Sequence, residues 1–317
     1  MHLRTIGLTW ALLFCLSAPA SGRTPRVQGA GEVKTGWRTP VRSVAVDSAG
    51  MVLAAGGDTG EIVIYDLAKQ RIRLRLSARG RVTCLAITPD GKHLAVGWKG
   101  SYVELVSLAT GRSVRRFGPL AGWPLGLAFS PKGDRLAVAG RAQRIALYDV
   151  ASGRAQGTLA GHTSWVNAVA FSPDGSRVAG AGWDHAVRVW DVAQRKLVTS
   201  GFGHRFALNS VTFTQDGKRV ITASDDQTLR VFHARTGTAL KRVPGPAITC
   251  LARAGTSARL VAGTYNGRLL LLREQQMHPR RIQPAHRGAV LTVAVTANGR
   301  LAVTGGRDGR VRMWRIR

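Results

Sequence analysis

The chain has 317 residues, 44% of them apolar and 20% charged, and carries a formal net charge of +29. Beyond the N-terminus no run of about 18 apolar residues occurs, which excludes a helical membrane span there; with Cys15 set aside, Cys84 and Cys250 are too few for a disulfide framework. The positive charge draws such a chain to anionic polymers and surfaces without saying anything about fold.

The first residues, MHLRTIGLTWALLFCLSAPASG, carry the three parts of a secretory signal: the charge of Arg4, the apolar run Ile6 to Leu16, and the small-x-small triplet Ala18, Pro19, Ala20. Cleavage is expected after Ala20. Residues 1–20 then form the signal and residues 21–29 a flexible N-terminal segment. The address is the periplasm or the cell exterior of a bacterium. Cys15 does not fit a lipid-attachment site, because bulky Phe14 precedes it.

From residue 41 onward the chain repeats. The turns DSAG, TPDG, SPKG, SPDG, TQDG, AGTS and TANG end at residues 50, 91, 133, 175, 217, 257 and 299, in steps of 41, 42, 42, 42, 40 and 42. A second landmark moves in the same steps: Tyr65-Asp66, Val106-Ser107, Tyr148-Asp149, Trp190-Asp191, Phe232-His233, Leu272-Arg273 and Trp314-Arg315. Within a unit the runs are strand-like. VNAVAF, RVAGAG, AVRVW and KLVTS, between residues 166 and 200, are short, apolar or alternating, and bounded by turn residues. No apolar run of helical length lies between the turns, so each unit reads as four strands.

Gly161-His162, Gly203-His204, the turn aspartates Asp184, Asp226 and Asp308, and Trp190-Asp191, at this period, resemble the WD-repeat β-propeller family. The resemblance covers about residues 31–317. It implies an all-β, seven-bladed β-propeller of four-stranded antiparallel blades, spanning residues 30–317. The last unit stops after its third strand, and counting back from Val41 places the missing outer strand at about residues 30–36, closing the ring and covering an open edge. The resemblance also implies a buried network of His, Ser/Thr, Asp and Trp in each blade. Only blade 7 fills every slot, with His286, Thr304, Asp308 and Trp314. Blade 5 has His204, Thr222 and Asp226 but Phe232; blade 4 has His162, Asp184 and Trp190 but Gly180. The other four blades are expected to rest on packing.

Most of the 17 acidic residues fall in turn or network slots, and no position in the repeat pairs two carboxylates as a glycosidase needs. Metal, haem, P-loop and nucleophile-elbow motifs are absent. The chain therefore reads as non-enzymatic, without cofactor or metal. Cys84 and Cys250 occupy equivalent slots in blades 2 and 6, too far apart in such a ring to bridge, and read as small buried apolar groups. The resemblance places three variable positions per blade on one ring face: the residue before the first strand, the residue two further on, and the residue before the turn aspartate. These supply Arg42, Arg81, Lys99, Trp123, Arg141, Trp165, Trp183, Tyr265 and Arg307, concentrated in blades 2 to 4. Tryptophan and arginine are the types enriched at binding hot spots. A monomeric propeller presenting a cationic-aromatic face to an acidic protein or an anionic envelope polymer is the expected function. A propeller hydrolase or lectin acting on anionic glycans is the alternative. Nucleic acid fits the charge but not the export signal. The alternating Arg71, Arg73, Arg75 and Arg310, Arg312 read as solvated outer edges.

Overall fold

Short apolar runs punctuated by glycine turns become antiparallel ladders, and blade 4 shows how. The computed structural model describes residues 27–78, 80–253, 258–277 and 279–316. Strand a of blade 4, Val166–Phe171, leads through the SPDG turn into strand b, Arg177–Gly182; a tight turn leads to strand c, Val187–Asp191, and then to the outer strand d, Lys196–Gly201. In the SPDG turn the Ser172 hydroxyl donates to Asp174 at 2.5 Å and Gly175 has φ +73°, a conformation that glycine adopts without Cβ strain. Thr88 with Asp90, Thr214 with Asp216 and Thr296 with Asn298 repeat this bond, which gives the turn landmark in the sequence its physical meaning.

Among the described residues the chain forms seven four-stranded antiparallel sheets. Blades 1 to 6 each use four consecutive strands in the order a-b-c-d. Each strand a contacts the next blade's strand a around the ring, and Val290–Val295 of blade 7 meets Val41–Val46 of blade 1. Hydroxyls stitch neighbouring inner strands: the Leu85 amide donates to Ser43 at 2.9 Å, and the Val44 amide donates to Thr292 at 3.2 Å across the closing junction. Packing lies between sheets. Ala179, Val187, Leu208, Phe213 and Phe232 join blades 4 and 5 in one buried cluster, and Ile64, Val82, Leu85 and Leu94 do the same for blades 1 and 2. A fully buried side chain of this size contributes about 1.5–3 kcal/mol.

Blade 7 takes its outer strand from the other end of the chain, in the order Val27–Val33, Val311–Ile316, Leu301–Gly306, Val290–Val295. The sequence places this strand at about 30–36; it runs instead from Val27 to Val33, so residues 27–29 are paired rather than flexible. A bulge between Gly29 and Gly31 slips the register, which counting back along the repeat does not anticipate. Val33 is buried, while Glu32 reaches outward to Arg310 at 3.0 Å. The expected signal, residues 1–20, lies outside the described residues. No described helix is long and apolar enough to cross a membrane.

The outer strand of blade 1, Arg71–Ser77, exposes Arg71, Arg73 and Arg75. Arg310, just before strand c of blade 7, is exposed as expected, whereas Arg312 differs from the solvated edge expected of it: it lies on a strand c covered by the N-terminal strand and points inward to donate to Asp308 at 3.0 Å and to the Ala285 carbonyl at 2.6 Å.

Candidate binding face

The turn between strands b and c brings its aspartate beside the histidine of the loop entering the same blade. In blade 7 the Trp314 indole donates to Thr304 at 2.9 Å, Thr304 bonds His286 Nε2 at 2.8 Å, and His286 Nδ1 bonds Asp308 at 2.8 Å. Blade 5 keeps the middle of this chain: His204 bonds Thr222 and Asp226, both at 2.8 Å, with Phe232 packed against the ring. In blade 4 His162 bonds Asp184 at 2.9 Å, but its Nε2 is buried without a partner among the described residues, because Gly180 supplies no hydroxyl. Trp190 then donates to the Ala160 carbonyl at 2.8 Å. One participant escapes the sequence reading. Arg188 donates to Asp184, and Arg312 to Asp308, each four residues after its aspartate. The signal was an Asp-x-x-x-Arg spacing repeated in three blades.

Burial would raise the pKa of Asp226, but hydrogen bonds from Thr228 and His204 outweigh it and hold the carboxyl down at about 2. Asp184 and Asp308 are also held below the usual carboxylate range, with burial opposed by bonds from His162 and His286. For His204 and His286 burial is the largest influence and disfavours the charged ring; it outweighs the neighbouring aspartates, so both imidazoles titrate below their ordinary value.

Two of the variable positions are tied together by the same backbone bond in each of the seven blades. In every blade the residue before the turn aspartate slot donates its backbone amide to the carbonyl of the residue preceding strand a: Lys99 to Arg81 at 2.9 Å, Arg141 to Trp123 at 3.1 Å, Trp183 to Trp165 at 2.8 Å, and likewise in the other four. Across blades 2 to 4 their side chains form a continuous ladder. Lys99 Nζ lies 4.5 Å from the Trp123 ring, and the Arg141 guanidinium lies between Trp123 and Trp165, at 4.0 and 4.1 Å. Trp165 then meets Trp183 edge-on at 5.6 Å, and the Trp183 indole donates to Asn167 at 3.1 Å. Trp183 remains 52% exposed. Arg141 Nε is buried without a hydrogen-bond partner among the described residues, so its position is set by the two indoles. Desolvated cation–π contacts of this kind contribute up to about 2 kcal/mol.

The other candidates divide. Arg42 and Arg81 both close on one carboxylate: Asp58 accepts from Arg42 at 2.8 and 3.1 Å and from Arg81 at 2.5 and 2.8 Å. Burial of Asp58 is opposed by these bonds and charges, which keep its carboxyl far below the usual range. The sequence showed an isolated aspartate in a variable slot; only folding shows that two arginines from adjacent blades converge on it. Tyr265 and Arg307 are exposed in blades 6 and 7, apart from the ladder. The middle variable slot also has structural work, since Thr83 donates to the Pro124 carbonyl at 2.7 Å and Asn167 to the Leu208 carbonyl at 2.9 Å, each in the following blade. Cys84 and Cys250 are free and buried, and burial pushes both thiols up to about 12. Among the described residues no three His, Cys, Asp or Glu side chains gather to hold a metal ion.

A closed ring of seven four-stranded antiparallel blades is the architecture of a β-propeller. The WD domain, G-beta repeat model matches residues 153–191, 195–233 and 277–315, and the model of the anaphase-promoting complex subunit 4 WD40 domain matches residues 54–121. No curated protein matches the chain significantly. The chain belongs to the WD-repeat β-propeller family. Propellers of this family act generally as scaffolds that bind proteins.

Proposed function

We propose that this propeller is an exported, non-enzymatic binding platform, working in the periplasm or outside a bacterial cell, whose ladder across blades 2 to 4 receives an acidic partner. The observation that carries this reading is Arg141 held between Trp123 and Trp165, with Lys99 and half-exposed Trp183 at the two ends. The indoles fix the guanidinium before the partner arrives, so little side-chain freedom is lost on binding. They also offer apolar area beside the cations, which suits an acidic protein segment carrying aliphatic or aromatic residues. The Asp58 clamp supports this placement, because it mutes the charge of blades 1 and 2 and leaves Lys99 and Arg141 as the cations of the ladder.

Trp183→Ala and Arg141→Ala should each weaken capture of the partner, recovered by cross-linking from the envelope fraction, by about tenfold or more, as expected for hot-spot residues. Trp183→Ala should leave the melting temperature unchanged, because Trp183 is exposed at the rim. Full-strength capture by both variants would refute the reading, as would turnover of an anionic glycan, which would favour the hydrolase alternative. A partner with no acidic segment would also refute it.

A further inference from the structure

The three blades that keep the His–Asp pair treat the following arginine differently. In blade 4 Arg188 donates to Asp184 and faces Ser200 across the outer ladder; in blade 7 Arg312 donates to Asp308 and faces Glu32, whose carboxylate lies 3.5 Å from its Nε. Blade 5 has neither arrangement. Thr228, standing where blade 4 has Ala186, donates its hydroxyl to Asp226 at 2.6 Å and its amide at 3.0 Å. Those bonds, with the His204 ring at 2.8 Å and the Arg205 amide at 3.1 Å, occupy both carboxylate oxygens. Arg230 makes no bond to the aspartate among the described residues. Its guanidinium lies against Gly203, where a Cβ would sit 2.6 Å from Nη1, and its Nε is buried without a hydrogen-bond partner among the described residues.

Directly opposite on the outer strand stands Arg242, a like charge in a cross-strand pair, which is destabilising unless something lies between the two. Arg205, exposed Phe206, Arg230 and Arg242 line one cavity of about 440 Å³ with Asp226. Three guanidinium charges thus face one carboxylate, leaving two uncompensated. A carboxylate ligand would cancel one of them, whereas a phosphate dianion cancels both and offers acceptors for forked donors.

We propose that this cavity on the rim of blade 5 is a binding site for a dianionic phosphate group, with Arg230, Arg242 and Arg205 as its donors and Phe206 as an apolar wall for the organic part of a phosphomonoester. The site is separate from the ladder of blades 2 to 4 and does not depend on it. Repulsion between Arg230 and Arg242 is the local cost of keeping the cavity ready, and the ligand relieves it.

The test is calorimetric titration of the whole protein at 0.15 M salt with phenyl phosphate, inorganic phosphate and benzoate. Phenyl phosphate should bind tightest, inorganic phosphate more weakly, and benzoate at least about tenfold more weakly than phenyl phosphate. Arg242→Ser installs the blade 4 residue and Arg205→Ser removes a second donor, so each should lose about tenfold in phenyl phosphate affinity, about 1.4 kcal/mol. Arg242→Ser, which also removes the like-charge pair, should melt no lower than the parent. Arg71→Ser, the same charge change on the outer strand of blade 1, should bind like the parent. Equal binding of benzoate, parental affinity in both blade 5 variants, or a matching loss in Arg71→Ser would overturn the site. Equal affinity for phenyl and inorganic phosphate would remove Phe206 from it.

Discussion

Gly180 shows how a residue that looks like a defect can be a fit. From its slot alone it reads as a missing hydroxyl that leaves His162 Nε2 unbonded. The surroundings have closed over the gap: a Cβ built there would lie 2.7 Å from Ile145 Cδ1, 2.9 Å from His162 Nε2 and 3.1 Å from the Trp190 ring. Restoring a side chain therefore crowds the site. Gly180→Ala should destabilise the protein by roughly 1–3 kcal/mol, the range for overpacked cores, read as a lower midpoint in chemical denaturation. A variant as stable as the parent would show that Ile145 can move aside. At this scale the sequence was legible where chemistry is local, as in the Asp174 turn and the His286 chain. It was opaque where partners come from different blades: nothing near Asp58 in the sequence announces that Arg42 and Arg81 both close on it.

Among elements, the N-terminal strand carries the greatest consequence. The seven copies and their strands were readable from apolar runs and turn residues, since every unit repeats the same local rules. The closing strand belongs to no repeat, so its existence followed from the unpaired edge of Val311–Ile316 but its register did not. The bulge at Gly29 and Gly31 sets that register, and glycine spacing in so short a segment carries no period to read. A chain beginning at Lys34 loses the burial of Val33, the ladder to Val311–Ile316 and the Glu32 bridge to Arg310. The loss should come to about 3 kcal/mol or more, from buried area and ladder hydrogen bonds together. It should appear as a lower melting temperature and as rapid amide exchange in Val311–Ile316. A truncated chain that melts like the parent would mean that blade 7 is held by its three remaining strands.

For the molecule as a whole, the buried pairs set how stability depends on pH. His204 and His286 have folded pKa values below the ordinary 6.5. Their contribution is complete above that value and declines as the pH falls beneath it, because the unfolded chain takes up protons that the folded rings refuse. Asp226, Asp184 and Asp308 are depressed carboxylates, so their contribution is complete above the ordinary 3.8 and disappears as the pH falls further, toward about 2 for Asp226. Both sets have the same sign. The denaturation midpoint should be level near neutrality, decline below about pH 6.5 and decline again below about pH 4. A midpoint that rises between pH 7 and 5 would contradict the neutral, buried imidazoles. The candidate face was legible at this scale only as an inventory: the family resemblance supplied Trp123, Arg141 and Trp165, while the order in which they stack depends on blade-to-blade rotation.

The seam of blade 7 also decides how the ring answers a pull. Val27 pairs with Ile316, so the first and last described residues lie at the same corner of the sheet and the ladder runs away from them toward Val33 and Val311. Tension applied between the termini opens this ladder like a zipper, one rung after another, instead of loading all its rungs at once. A propeller tethered by its tail and held at its other end would give way along that line first, with blades 1 to 6 still intact.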